Sequence, residues 1–398
     1  MGAASLGDTV LVAPGRYADS EVRVVVLHEP IALRSCAFLE DGVTLLSEGG
    51  PSETTLDLDG LGSDTSAAVV LALGLDSGQT VLEGFTIRGA ALGGQGLRAW
   101  FSELVSVRNC VFEDLDGTPR GDGGGIACFR STLEAQGCWF LRCFGWGING
   151  GGLHAHETNV VVDGCSFVEC DVGIQANAVT GSNSVVVRNS RFERNTQAGI
   201  RKGPQMHTAI IEACWFEGNT SEDGLQALSI YSGPVTVRNC VFVNNTSADD
   251  CAAIWCQAAG SAVLAGNTFW NNRNLDDGAS HAAAVLIASG GNVQFTNNLI
   301  AGSAGAAALR VFQTNVTDSC NLFWNNADGD VLGITLDPTT VFADPDFCDA
   351  DGGDLTVANG SPCVTTDGCG QIGALGSGCT TVSIENESWA TIKGRFLR

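Results

Sequence analysis

The stretch Val235 to Asn245, VTVRNCVFVNN, decides the fold, because close relatives of it recur about ten times between residues 81 and 326. Ile87, Phe112, Phe140, Phe167, Phe192, Phe216, Phe242, Phe269, Ile300 and Phe323 fall in one column, at spacings of 25, 28, 27, 25, 24, 26, 27, 31 and 23. A period in the twenties with variable insertions is the mark of a solenoid. Three residues earlier stand Gly84, Asn109, Gly137, Gly164, Asn189, Ala213, Asn239, Gly266, Asn297 and Cys320. Most are Gly or Asn, which best tolerate positive φ, so a left-handed bend is expected between two short strands. The next column, Phe85, Cys110, Cys138, Cys165, Ser190, Cys214, Cys240, Asn267, Asn298 and Asn321, predicts an inward ladder of mostly small or polar groups. A second ladder, Cys143, Cys170, Asn195, Asn219, Asn245, Asn272 and Asn326, follows three residues after the Phe column.

One rung cannot bury its apolar face alone. Rungs stacked about 4.8 Å apart share every backbone hydrogen bond with their neighbours, so ten would form a rod on the order of 48 Å long. Each buried Phe contributes roughly 1.5–3 kcal/mol. The expected fold is an all-β parallel solenoid with N-terminal rungs over 1–80 and a regular array over 81–326. A Cys-rich C-terminal cap over 327–379 and a tail over 380–398 complete it.

Twenty Lys and Arg stand against 44 Asp and Glu, a formal charge of −24. That charge repels phosphate backbones, so nucleic acid is excluded as a natural partner. No apolar run approaches the roughly 20 residues a membrane span needs. Sixteen cysteines, four of them at Cys348, Cys363, Cys369 and Cys379 in a Gly/Asp-rich segment, point to an oxidising compartment.

GDTVLVAPGRY at 7–17, with IALRS at 31–35 and VTLLSEGGPSETTLDLDG at 43–60, resembles the opening of secreted bacterial right-handed parallel β-helix proteins of the pectate-lyase-like superfamily. FADPDFCDADGGDLTVANGSPCVTTDGCGQIGALGSGC, at 342–379, is similar to the DP-F, SPC and IGA segment that ends many such proteins, and is expected to cover the last rung. The resemblance implies a right-handed single-chain β-helix, secreted or on the cell surface, monomeric, with an extracellular polysaccharide as partner. It also implies a capping segment and signal peptide where only Met1 to Leu6 stand, so the start is expected to be missing. Trp389, Ile392 and Phe396 lie at helical spacing in the tail, as a sorting or anchoring segment or a frayed end would.

In-register neighbours keep Cβ atoms near 4.8 Å, longer than the ~3.8 Å a disulfide prefers. Cys110, Cys138, Cys165, Cys214 and Cys240 are therefore expected as buried thiols, and the turn pair Cys143 and Cys170 as a disulfide candidate. Cys348, Cys363, Cys369 and Cys379 are the leading disulfide candidates, with three connectivities open.

The strands GLHAHE, GIQANA, GIRKGP, LSIYSG and IWCQA follow the second ladder. Period-2 alternation sends Leu153, Ile174, Ile200, Leu228 and Ile254 inward, and His154, His156, Gln175, Asn177, Arg201, Ser229, Tyr231, Trp255 and Gln257 outward. Rings beside amides suit a sugar, the rings against C–H faces and the amides on hydroxyls. An ordinary solvated sheet face would show the same alternation. The resemblance places the binding groove of its enzymes on this face, and implies for a lyase a base such as Arg201, with Lys202 and His207 beside it. A glycoside hydrolase acting in the same groove, or a structural or adhesive spacer without catalytic activity, is equally compatible with the fold. No cofactor is required, but Asp223, Asp249, Asp250, Asp276 and Asp277, stacked on neighbouring turns, could hold calcium through six to eight oxygens.

Overall fold

The structure, a computed structural model, describes residues 8–379 apart from 19, 27–28, 36, 41, 58–67, 74–77, 90–93, 119–122, 146–149, 180–182, 222–225, 258–259, 277–280, 289–290 and 313–314. Three parallel sheets run its length. The first holds twelve strands from Thr9–Val12 to Asn315–Ser319, the second thirteen from Gly15–Ala18 to Val341–Phe342, and the third twelve from Ala37–Glu40 to Val331–Leu332. An antiparallel hairpin, Ser20–Val26 with Glu29–Ser35, interrupts the opening rung. Among the described residues the only helix is Pro362–Thr365, and none is long and apolar enough to cross a membrane.

The repeat works as its columns predict. In the central copy, Val235–Arg238 is a strand of the first sheet, Asn239 bends the chain at φ 55°, and Val241–Val243 is a strand of the second sheet. All ten residues of the bend column have positive φ, including Ala213 at 52° and Cys320 at 55°. Stacking on both sides holds these non-glycine residues in a conformation they do not favour alone. A second left-handed position precedes the second ladder, at Arg142, Glu169, Arg194, Gly218, Asn244 and Asn271. It carries no Gly/Asn signature strong enough to be seen in sequence.

Phe112, Phe140, Phe167, Phe192, Phe216, Phe242 and Phe269 are fully buried and stack face on face, with centroids 4.5–5.0 Å apart. In the second ladder, Asn195, Asn219 and Asn245 each donate Nδ2 to the next asparagine's Oδ1 at 2.9–3.0 Å and to a phenylalanine carbonyl of the preceding rung. The buried amides are thus paired, and the Asn-x-Ser/Thr sites at Asn219 and Asn245 lie inside the helix. Cys110, Cys138, Cys165, Cys214 and Cys240 are buried thiols, each directing Sγ at a backbone carbonyl of the rung before. Burial pushes the Cys110 thiol up to about 12, which removes its nucleophilic form.

The cysteine expectations need correction at two places. Cys143 and Cys170 are both free, their parallel side chains turned to the carbonyls of Phe112 and Phe140. The C-terminal disulfides are Cys348–Cys379 and Cys320–Cys369, whereas Cys363 is a buried thiol. Cys320 stands in the bend column, outside both inward ladders, and so is placed to reach Cys369.

The rungs continue past Asn326, for Leu322 pairs with Val341 and Phe323 with Phe342. The segment after them does not sit over the last rung, and Phe342 remains 61% exposed. It folds back along the outer face of the second sheet instead. Leu355 packs on Val241 and Val243, and Val357, Cys363 and Ile372 on Leu299, Ala301 and Leu322. Phe347 meets Trp270 edge-on at 5.2 Å. The Gly373 amide donates to the Asn297 carbonyl, and the Ala374 amide to Thr268 Oγ1. The cause is visible in the repeat. Outward positions beside the column residue are charged in Arg191-Phe192-Glu193 but apolar in Val241-Phe242-Val243 and Leu299-Ile300-Ala301, so the later rungs require a cover.

Candidate functional site: the outer face of the third sheet

Register along the third sheet sets one outward column of Arg98, Ala127, His154, Gln175, Arg201, Ser229, Trp255, Leu286 and Arg310. A second runs Trp100, Phe129, His156 and Asn177. The alternation is as expected, with Leu153, Ala155, Ile174, Ala176, Leu228 and Ile254 in the core. The degree of exposure is not: His154, Gln175 and Ser229 are buried, and His156, Asn177, Arg201, Tyr231, Trp255 and Gln257 are half-buried. Loop backbone covers the strip. A side chain at Gly123 would strike His154 Cβ at 2.9 Å, and one at Gly150 would strike Gln175 Cβ at 2.8 Å.

At the N-terminal end of this strip a cleft of about 340 Å³ opens, lined by Gln95, Arg98, Trp100, Phe129, His154 and His156. Its floor is aromatic. His156 stacks on Phe129 at 4.9 Å, and the Arg98 guanidinium lies 5.2 Å from the Trp100 ring centre while donating to Gln95. Arg130 lies 5.3 Å from the Phe129 ring and pairs with Glu157. His156 Nδ1 is buried with no hydrogen-bond partner among the described residues. Phe129 lies one strand, and Gln95, Arg98 and Trp100 two strands, before the stretch that the sequence singles out. QGLRAW and IACF carry the same outward–inward alternation as GLHAHE, the signal that could have found Arg98, Trp100 and Phe129, whereas Gln95 shares the parity of the inward Leu97 and Ala99.

The other outward residues gather further along. Arg201 donates Nη1 to Gln175 Oε1 at 3.1 Å, and Gln175 donates Nε2 to Asn177 Oδ1 at 2.7 Å. Arg201 also lies 4.9 Å from the Tyr231 ring, which meets Trp255 edge-on at 4.6 Å. Arg201 is therefore held in a polar chain apart from the residues that line the cleft. Its neighbour Lys202 points into the core, with Nζ donating to the carbonyls of Met206 and Ser232, and burial lowers it to about 8. Ring over guanidinium recurs at Arg310 and Phe312, at 4.3 Å.

One buried carboxylate holds the covering loop. Asp171 accepts the Gly145 amide on Oδ2 at 2.8 Å and the Val172 amide on Oδ1 at 2.7 Å. Burial raises it to about 7 against these hydrogen bonds. Of the expected calcium ligands, Asp223 and Asp277 lie outside the described residues. Asp249 and Asp250 are joined by His281, an unanticipated partner, and Asp276 Oδ2 lies 3.8 Å from His281 Nδ1.

Residues 72–201 and 145–269, in two overlapping spans, match the family model described as the right handed beta helix region. The fold over these residues is thus a right-handed parallel β-helix. No curated protein matches its sequence. Among solved structures it is similar to pectate lyase Pel9A, at 14% identity and TM-score 0.47, over 95% of this chain and 90% of that one. An alginate lyase of the PL6 family, AlyGC, is 14% identical at TM-score 0.48, over 94% of this chain and 56% of that one. PfbA, a surface adhesin of Streptococcus pneumoniae, is 12% identical at TM-score 0.48, over 81% and 83%.

Proposed function

We propose that this chain is an exported protein that binds polysaccharide along the outer face of its third sheet, with sugar rings seated in the cleft between Arg98 and His156. The observation that carries this reading is the cleft's chemistry. Trp100, Phe129 and His156 offer ring faces, while Gln95 and Arg98 offer hydrogen-bonding groups. Such a surface suits a pyranose, whose C–H faces pack on rings and whose hydroxyls take directional hydrogen bonds. The spacing of rungs, about 4.8 Å, is close to the rise of one sugar unit, so a linear glycan along the axis would meet equivalent positions on successive strands. Two disulfides among the described residues fit a protein that folds outside the reducing cytoplasm.

A glycan panel probed with the parent, Trp100→Ala and the double variant Tyr231→Ala/Trp255→Ala tests the placement. Loss of binding in Trp100→Ala with folding retained supports the cleft, and undiminished binding in both variants removes the strip from consideration. Polysaccharide cleavage is the second reading, favoured by the two imidazoles at the cleft, His154 and His156, where a general base could act. It predicts new unsaturated or reducing ends on incubation with the bound glycan, abolished by His156→Ala.

A further inference from the structure

Towards the opposite end of the third sheet, two successive turns bring Asp249, Asp250 and His281 together so that one ligand atom from each lies within 4.8 Å of the others. His281 Nε2 is 3.5 Å from Asp249 Oδ1. Two ligands of a tetrahedral ion at about 2.1 Å from the metal stand roughly 3.4 Å apart, so this pair already has the separation a shared ion requires. The ring is 12% exposed, and its buried Nδ1 makes no hydrogen bond among the described residues. Asp276 Oδ2 lies on that Nδ1 side at 3.8 Å, the relation in which a carboxylate behind a metal-bound histidine sets ring orientation and tautomer.

The local charge adds a separate reason. Among the described residues no Lys or Arg forms an ion pair with Asp249 or Asp250. Their carboxylates, with that of Asp276, therefore crowd around one imidazole. The backbone framework is rigid, because the Ala282 amide donates to the Asp250 carbonyl at 2.8 Å and Asn274 Nδ2 donates to the same carbonyl at 3.1 Å.

We propose that Asp249, Asp250 and His281 bind one divalent ion of the zinc or manganese class, with Asp276 orienting the imidazole. The ion staples the turn before Ile254–Cys256 to the turn before Val285–Ala288. The imidazole decides the metal. Calcium prefers an all-oxygen shell of six to eight ligands, whereas a mixed shell of nitrogen and carboxylate oxygen favours the borderline ions. The proposed site shares Asp249, Asp250 and Asp276 with the stacked aspartates expected from sequence to hold calcium, and differs from them by its imidazole.

Isothermal titration of the chelator-treated, oxidised full chain with Zn²⁺, Mn²⁺ and Ca²⁺ tests the proposal, alongside His281→Ala, Asp250→Asn and Asp276→Asn. One equivalent of Zn²⁺ or Mn²⁺ should bind and raise the melting temperature, with millimolar Ca²⁺ failing to compete. His281→Ala and Asp250→Asn should abolish the event, and Asp276→Asn should weaken it about 10–100-fold, the usual cost of losing a carboxylate behind a histidine ligand. Co²⁺ substitution should give d–d bands without thiolate charge transfer, which separates this site from the buried cysteines. Absence of a saturable event overturns the proposal, as does binding unchanged in His281→Ala. Selective Ca²⁺ binding that survives His281→Ala also overturns it, in favour of carboxylates alone.

Discussion

The outer faces of the second and third sheets start from the same repeat and end differently. Both carry rings and apolar groups on strands of the same solenoid. On the second sheet, Val241, Val243, Trp270, Leu299 and Leu322 pack beneath residues 343–379 of their own chain, which the Cys320–Cys369 disulfide ties to the helix and Cys348–Cys379 closes internally. On the third, Trp100, Phe129 and His156 lie beside glycine-rich loops that leave a cleft. An apolar strip with no polar partners is satisfied by any well-shaped cover. A strip that interleaves rings with Gln95, Arg98 and His154 is better satisfied by a ligand that supplies both C–H faces and hydroxyls. The covered face is therefore structural, and the open one is where the proposed binding is to be tested.

The largest expected effect tests what the two faces share. Phe216→Ala, in the middle of the stacked column, should lower stability by about 3–5 kcal/mol in urea unfolding, because the cavity cannot collapse between in-register rungs. Next, Cys320→Ser/Cys369→Ser should destabilise the covering segment by about 2–4 kcal/mol. The check is limited proteolysis: cleavage within 343–379 should come first, with a residual helix that exposes Trp270 and gains dye binding on the second sheet alone. If the whole chain is degraded together, the cover is integral to the helix and the contrast between the faces fails.

Asp171 sharpens the other side of the comparison, since it anchors the loop over the third sheet. Its folded carboxyl titrates near 7, above the usual carboxylate value, so the folded state holds a proton that the unfolded state has released. Stability from this group is fully present below about pH 4, declines as pH rises towards 7 and is flat above that, a difference on the order of 4 kcal/mol. Asp171→Asn should remove that slope, measured as the parent-minus-variant difference between pH 4 and 8. A difference that grows with pH would mean the carboxylate is stabilised as the anion. The smallest effect falls on the bend that both faces require. Ala213→Gly, at φ 52°, should stabilise the chain by about 1 kcal/mol in thermal unfolding.

The repeat was legible because a solenoid turns long-range contacts into a periodic one-dimensional pattern. Phe242 meets Phe216 and Phe269 for the same reason that all three share a column. Half of the outward strip was legible on the same grounds, for His154, His156, Gln175 and Asn177 follow the alternation. Arg98, Trp100 and Phe129 obey it too, but on strands that precede the most regular copies. Arg201 has the right direction, yet only the structure shows it engaged with Gln175 and Tyr231. His281 could not be seen, because its partners lie 31 and 32 residues back, across an insertion of no fixed length.

VTVRNCVFVNN by itself determined the rungs: two strands, a left-handed asparagine between them, a buried phenylalanine, and a side-chain amide that repeats along the axis. Those features depend on backbone sterics and alternation, which act within a few residues and then repeat. The tertiary structure alone decided which outward faces were covered, which cysteines met and which acids found a histidine. Those outcomes depend on where irregular loops and the C-terminal segment fold back, and no period in the sequence encodes that.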